Sequence, residues 1–298
     1  MDKVAIFGST GQLGTDLVSV LRNCGSFDVI PLRHEDADCT DAAAVRKAVI
    51  HSRPQIVIDC AAYVRVDDCE DHVSEAFAVN AIGALNVARA CAEIDARCVY
   101  VSTDYVFDGE KKTPYVESDP TNPISVYGAS KLAGEHLVRQ TAPCWLIVRV
   151  SSLFGKTGAR GKGGNFIETI LAKARKGEAL KVVDDIHISP TYTRDAASAI
   201  RDLLINGGSG VVHSANLGSC SWYELAKAAL DLSGINADVT AVLSSTYPTR
   251  ARRPKNSALA TERSIAKSHA SLPTWQEALR AYLREKGHLP IHQSVAAG

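Results

Sequence analysis

The sequence predicts an α/β protein with a doubly wound parallel sheet and a smaller, mixed region after it. Two observations carry this. Short Val- and Ile-rich runs alternate with helical patterns through the first half, and a glycine-rich turn joins the first run to the first helix. A strand buried on both faces reads as a continuous apolar run, and a helix between two such strands makes their pairing parallel.

The runs "KVAIFG" (3–8), "FDVIPL" (27–32), "QIVIDC" (55–60), "RCVYVS" (97–102) and "CWLIVRV" (144–150) read as strands. Helical patterns fall over 12–23, 41–51, 73–94 and 126–140. The second half is less regular. Residues 164–178 form an amphipathic pattern, and 193–207 form another, with Thr193 as its expected N-cap and Asp195 in its first turn. "SWYELAKAALDLSG" (221–234) carries a capping box, Ser221 with Glu224, and stops at Gly234. A last helix is expected within 272–287. The domain reading is a dinucleotide-binding body over 1–150, a mainly substrate-binding region over 151–287 between which and the first body the chain can cross, and a loose tail over 288–298.

Composition narrows the function. The 33 basic and 33 acidic residues cancel, which argues against a nucleic-acid or membrane surface. No apolar run reaches a membrane span and no leader-like segment opens the chain, so a cytoplasmic protein is expected. The eight cysteines are scattered, without a C-x-x-C pair, and read as reduced core residues rather than zinc ligands.

The turn "IFGSTGQLG" places Gly8, Gly11 and Gly14 between a strand and a helix. Gly8 permits a tight turn, Gly11 a close backbone approach to a pyrophosphate, and Gly14 helix–strand packing; the helix N-terminus then offers N–H groups to the phosphates. Thr10, Gln12 and Leu13 belong to the same cofactor loop. NAD-binding proteins usually place an acid at the end of the second strand, whereas here "PLRHED" presents Arg33, a cation suited to a 2′-phosphate. NADPH is therefore expected, with NADH as the alternative.

The fourth strand runs into Thr103 and Asp104, and ligands bind at the carboxyl ends of parallel strands. One loop later, "VYGASK" sets Tyr127 and Lys131 four apart on one helix face. A free tyrosine, with a pKa near ~10, is a poor acid–base group at neutral pH; a neighbouring ammonium favours the phenolate and tunes it. A strand-end hydroxyl, Tyr-x-x-x-Lys and the glycine loop together point to hydride-transfer chemistry.

On "FGSTGQLG", "DCAAYVRVDDCE", "VNAIGALNVA", "VSTDYVFDG", "YGASKLAGE", "GGNFIETI", "PTYTRDAA", "SWYELA" and "RRPKNSAL", in that order, the chain resembles the dTDP-4-dehydrorhamnose reductase family of the extended short-chain dehydrogenase/reductase superfamily, from about residue 3 to about 283. The resemblance implies a Rossmann-type fold. It makes Thr103 the hydroxyl that polarises the substrate C4 carbonyl, Tyr127 the proton donor, and Lys131 the group that holds the nicotinamide ribose and lowers the tyrosine pKa. It places Asp38 and Cys39 at the adenine, and Ala61, Ala62 and Tyr63 beside the cofactor, with Asn80 supporting that strand end. Asp104 and Tyr105 would line the substrate pocket, and Asn165, Arg253 and Asn256 would meet the nucleotide-sugar; a guanidinium suits a diphosphate. The expected assembly is a monomer or homodimer.

Dehydratases of the superfamily resemble Thr-Asp-Glu after the fourth strand; this chain has Thr103-Asp104-Tyr105, which favours reduction over elimination. Ile186 and Ile188 stand where the family usually has Gln and Gly before its Pro-Thr, and Leu153 replaces an aromatic residue. These departures are expected near the sugar pocket. Some members hold Mg²⁺ at a dimer interface; Asp16 falls at one ligand position, the other ligands are not identified, and no metal site is assigned. Two alternative functions share the scaffold: a non-catalytic subunit like the regulatory subunit of methionine adenosyltransferase, and an epimerase or dehydratase.

Overall fold

A computed structural model describes residues 1–158, 164–260 and 272–289. The chain begins with β1 (Asp2–Phe7), α1 (Gln12–Asn23), β2 (Phe27–Leu32), α2 (Ala42–Ser52) and β3 (Ile56–Asp59). Two short helices follow, α3 (Val66–Asp71) and α4 (Val73–Phe77), then a π-helical stretch Ala78–Gly83 and α5 (Ala84–Glu93). The single helix expected over 73–94 is thus interrupted where Asn80 turns inward. β4 (Arg97–Thr103), α6 (Val126–Thr141) and β5 (Trp145–Val150) complete the first half.

These strands form one parallel sheet in the order β2-β1-β3-β4-β5, extended beyond β5 by β6 (Gly210–His213). The order reverses between β1 and β3, which opens a crevice at their carboxyl ends. Apolar side chains cover both faces: Leu13, Leu17 and Leu21 of α1 with Ile200 and Leu203 of α8 (Thr193–Ile205) on one, and Val45, Val49, Val87 and Val138 on the other. The chain therefore returns to its first body after residue 150, through α8 and β6.

The second body packs α7 (Phe166–Arg175), α9 (Trp222–Leu232) and the helix Trp275–Glu285 around Leu171, Leu225, Leu279 and Tyr282. Ser221 and Thr274 cap their helices through complete capping boxes. The cap expected at Thr193 is not there: Tyr192 occupies that position without a side-chain bond, and the Thr193 hydroxyl donates instead to the carboxylate of Asp16. The tail also begins later than expected. His288 is held, with Nε2 bonded to Glu168 Oε1 at 3.0 Å and Nδ1 bonded to Arg175 at 3.0 Å; residues 290–298 lie outside the described residues. Among the described residues, no helix is long and apolar enough to cross a membrane.

Candidate active site

A cleft of about 850 Å³ opens at the switch point between β1 and β3 and runs to the second body. Its floor is the loop after β1. Gly8 has φ +68°, and an ideal Cβ there would stand 2.9 Å from the backbone N of Ala61, so the turn requires glycine. Thr10, Gly11, Gln12 and Leu13 line the cleft, as do Asp38, Cys39, Ala61, Ala62 and Tyr63. α1 starts at Gly11 with no side-chain cap and no acid in its first turn, and Gln12 Oε1 is buried without a hydrogen-bond partner. An uncapped helix N-terminus beside an unsatisfied polar atom fits a dinucleotide pyrophosphate.

Arg33 sits differently from expectation. Its Nε and Nη2 grip Asp36 at 2.9 and 3.0 Å and its Nη1 meets Glu35 at 2.9 Å. It does not line the cleft, whereas its neighbour His34 does. Two carboxylates four residues or fewer away on the same turn have drawn the guanidinium off the cofactor path.

Asn80 is fully buried and supports the wall from behind. Its Oδ1 accepts from Tyr63 N at 2.8 Å, and its Nδ2 donates to Ser130 Oγ at 2.9 Å, linking the loop after β3 to α6. Tyr127 stands at the first turn of α6, whose N-cap Ser125 accepts from Gly128 N. The next residue has to be small: a Cβ on Gly128 would lie 2.2 Å from the carbonyl oxygen of Tyr105. Gly128→Ala is therefore expected to cost about 1–3 kcal/mol of stability by forcing α6 off that carbonyl, and a wild-type urea midpoint in this variant would contradict the packing.

Thr103, Asp104, Tyr105 and Tyr127 converge. Tyr127 is hydrogen-bonded to the Thr103 side chain, and its ring meets that of Tyr105 edge-on, centroids 5.7 Å apart. Thr103 Oγ1 donates to Asp104 Oδ1 at 2.9 Å, and Ser151 Oγ donates to Asp104 Oδ2 at 2.9 Å. Burial raises the Asp104 pKa, opposed by these hydroxyls and Ser257. Burial also raises the Tyr127 pKa, an effect that the Thr103 bond opposes; in the protein alone the phenol is kept protonated rather than tuned toward phenolate. Lys131 is buried, its Nζ 4.0 Å from the Tyr100 ring centroid. Burial lowers its pKa to about 8 against the opposing charges of Asp59 and Glu135.

Of the expected substrate residues, Asn165 lines the cleft while capping α7, with Nδ2 donating to Tyr282 OH at 2.9 Å. Arg253 also lines it, clasped by Asp67 through Nη2 at 2.8 Å and hydrogen-bonded to Tyr105. Asn256 does not reach the cleft. Its Nδ2 donates to the carbonyls of Lys111 and Thr113 and its Oδ1 accepts from Ala258 N, so it fastens one loop to another. Leu153 lines the cleft, whereas Ile188 does not and lies in the core of the second body.

Sequence reasoning missed Phe166, Trp222 and Leu225, which line the far wall. Each sits at or near the start of a helix, and periodicity does not say what a helix end faces. Phe166, Trp222 and Arg253 also border a second cavity of about 750 Å³ that carries Lys173, Lys181 and Arg252. The carboxylate of Asp16 is occupied by Thr193, and among the described residues no group of three or more His, Cys, Asp or Glu side chains is arranged to hold a metal.

Residues 2–287 match the family model described as the RmlD substrate binding domain. The chain is 39% identical to the spore coat polysaccharide biosynthesis protein SpsK of Bacillus subtilis, covering 96% of this chain and 98% of that one. It is 36% identical to the dTDP-4-dehydrorhamnose reductase of Mycolicibacterium smegmatis, over 93% of this chain and 84% of that protein. Among solved structures, the Bacillus anthracis dTDP-4-dehydrorhamnose reductase in complex with NADP superposes with a TM-score of 0.90 at 37% identity, covering 95% and 99% of the two chains. A UDP-glucose 4-epimerase of Thermus thermophilus, at 22% identity and a TM-score of 0.82, shares the fold.

Proposed function

This chain belongs to the RmlD substrate-binding-domain family, and on that premise we propose that it is an NADPH-dependent reductase of a 4-keto-6-deoxy nucleotide sugar, converting dTDP-4-dehydrorhamnose to dTDP-L-rhamnose. The observation that carries the reading is the contact of Tyr127 with Thr103 at the end of β4, beside the uncapped glycine loop.

The loop after β1 and the uncapped N-terminus of α1 would hold the cofactor's pyrophosphate, and Asp38 and Cys39 would line its adenine end. When bound, the reduced nicotinamide supplies a hydride to the sugar C4. Thr103 holds the ketone oxygen, and Tyr127 delivers the proton to it. The raised pKa of Tyr127 serves this direction of reaction, since a proton donor must enter the step protonated. Lys131 stabilises the phenolate left behind by its positive charge. Tyr105 presents no carboxylate that could take a proton from the sugar, which leaves reduction rather than elimination.

Arg253 stands between the cleft and the second cavity, where a diphosphate would bridge sugar and nucleoside; the lysines and Arg252 around that cavity suit the anionic end. His34, on the cleft wall, would stand nearer than Arg33 to the adenosine end of the cofactor, and Arg33 would reach a 2′-phosphate only by leaving Asp36.

The test is NADPH oxidation against a panel of 4-keto nucleotide sugars. One NADPH is expected to be consumed per sugar reduced, with dTDP-4-dehydrorhamnose the best substrate. Turnover of the sugar without net cofactor consumption would instead mean epimerase or dehydratase chemistry.

A further inference from the structure

We propose that Asp59 is a positioning residue of this site: the buried counter-charge that keeps the Lys131 ammonium charged and seated against Tyr100. The proposal rests on the reductase reading for its catalytic consequence, though the charge pair itself does not.

Asp59 ends β3 and is 2% exposed. Its Oδ1 accepts from the N–H of Ala61 at 3.0 Å, which fixes the carboxylate at the start of the loop that walls the cleft. In the ladder between β3 and β4, Asp59 is the direct partner of Tyr100. Directly paired residues on adjacent strands present their side chains on the same face. The Tyr100 ring carries Lys131 Nζ 4.0 Å from its centroid, and the Tyr100 hydroxyl is tied to Asn80 O at 2.6 Å, so the ring cannot turn away. Lys131 thus lies over the ring whose ladder partner is Asp59, and the Asp59 charge acts on it across that face.

A π-face alone is a weak partner for a buried ammonium, which needs an anion to offset its lost hydration. Glu135, one turn along α6, is the other carboxylate near Lys131, but it is engaged. Both its oxygens are held by Arg149, at 2.9 and 2.8 Å, and Oε1 also accepts from Ser102 at 2.5 Å. Asp59 has no such cationic partner among the hydrogen bonds of the described residues, its only one being that from Ala61.

The groups whose charges act on Lys131 are Asp59 and Cys60 from β3 and its loop, Cys39 after β2, and Glu135 from α6 itself. Tyr100 of β4 adds its ring. The thiols of Cys39 and Cys60 and the phenols of Tyr100 and Tyr127 are all pushed up by burial and stay neutral at working pH. The carboxylate of Asp59 is raised to about 6 by burial, against the opposing charge of Lys131. Lys131 is lowered to about 8, also by burial and against Asp59. Between those values both groups are charged. Removing the Asp59 charge leaves burial acting on Lys131 with less opposition, so the lysine loses its proton at lower pH.

Asp59→Asn keeps an oxygen for the Ala61 N–H and removes only the charge. Two readouts on the full-length protein follow. One is the pH dependence of kcat and KM for keto-sugar reduction. The other is the titration of Lys131 by NMR in lysine-labelled protein, its signal assigned by its loss in Lys131→Met. We expect the Lys131 midpoint and the alkaline limb of kcat to move down together, by about one pH unit, with KM little changed. An unmoved Lys131 midpoint in Asp59→Asn overturns the proposal. Asp59→Ser serves as a second variant; loss of stability in both, without a shift of Lys131, means a purely structural aspartate and likewise overturns it. If the wild-type protein reduces no keto sugar, the reductase reading fails, and the NMR titration still decides the charge pair.

Discussion

Replacing Tyr127 with phenylalanine is expected to lower kcat roughly a thousandfold, the usual weight of a positioned general acid. The ring stays packed edge-on against Tyr105 and only the hydroxyl that meets Thr103 is lost. Cofactor binding, measured by fluorescence titration, should remain within about twofold of wild type, because the pyrophosphate loop is untouched. The urea midpoint should also hold, since Thr103 keeps its bond to Asp104. Wild-type turnover in this variant would remove Tyr127 from the mechanism; a parallel collapse of cofactor affinity would make it a binding residue instead.

Arg149→Met is expected to have the largest effect on stability. Arg149 and Glu135 are both buried, and their bidentate pair ties β5 to α6. Removing the guanidinium leaves Glu135 as an uncompensated buried charge, at a cost of about 3–5 kcal/mol. The double variant Arg149→Met with Glu135→Leu should recover most of that loss, because an apolar pair of similar volume avoids the desolvation of both ions. Urea unfolding of the three proteins checks this. Equal destabilisation of the single and double variants would mean that the cost lies in packing, including the contact of Arg149 with the Phe107 ring, 5.2 Å from its centroid.

The parallel sheet and the glycine loop could be read from the sequence because both depend on local pattern. Continuous apolar runs mark strands covered on both faces, and glycines mark a turn that only they can make. Thr103, Tyr127 and Lys131 were readable for a related reason: a strand end and one helix turn place them without help from distant chain. Arg33 shows where such reasoning stops. Its position at the end of β2 was evident, but its direction was set by competition among charges, and Asp36 and Glu35 were nearer than any ligand. Asn256 was misplaced because a polar side chain in a loop is equally able to bind a substrate or a carbonyl, and here the carbonyls of Lys111 and Thr113 took it. Thr193 failed as a cap because Asp16, 177 residues earlier in the chain, offered its hydroxyl a carboxylate. The buried link from Asp59 through Tyr100 to Lys131 depends on strand register, which no single run of residues announces.

The return of β6 to the first sheet bears on how the protein is made. A nascent chain that has emerged only as far as β5 holds the glycine loop, Thr103, Tyr127 and Lys131, yet β5 is then an unpaired edge and the outer side of Leu17 and Leu21 awaits α8. Exposed edges of this kind are prone to mispairing. The cofactor body therefore cannot finish folding during synthesis until residue 213 has left the ribosome, by which point α7 of the second body has also appeared. Cutting the gene after residue 150 should yield an insoluble fragment rather than a free dinucleotide-binding domain, although Thr103, Tyr127 and Lys131 would all be present.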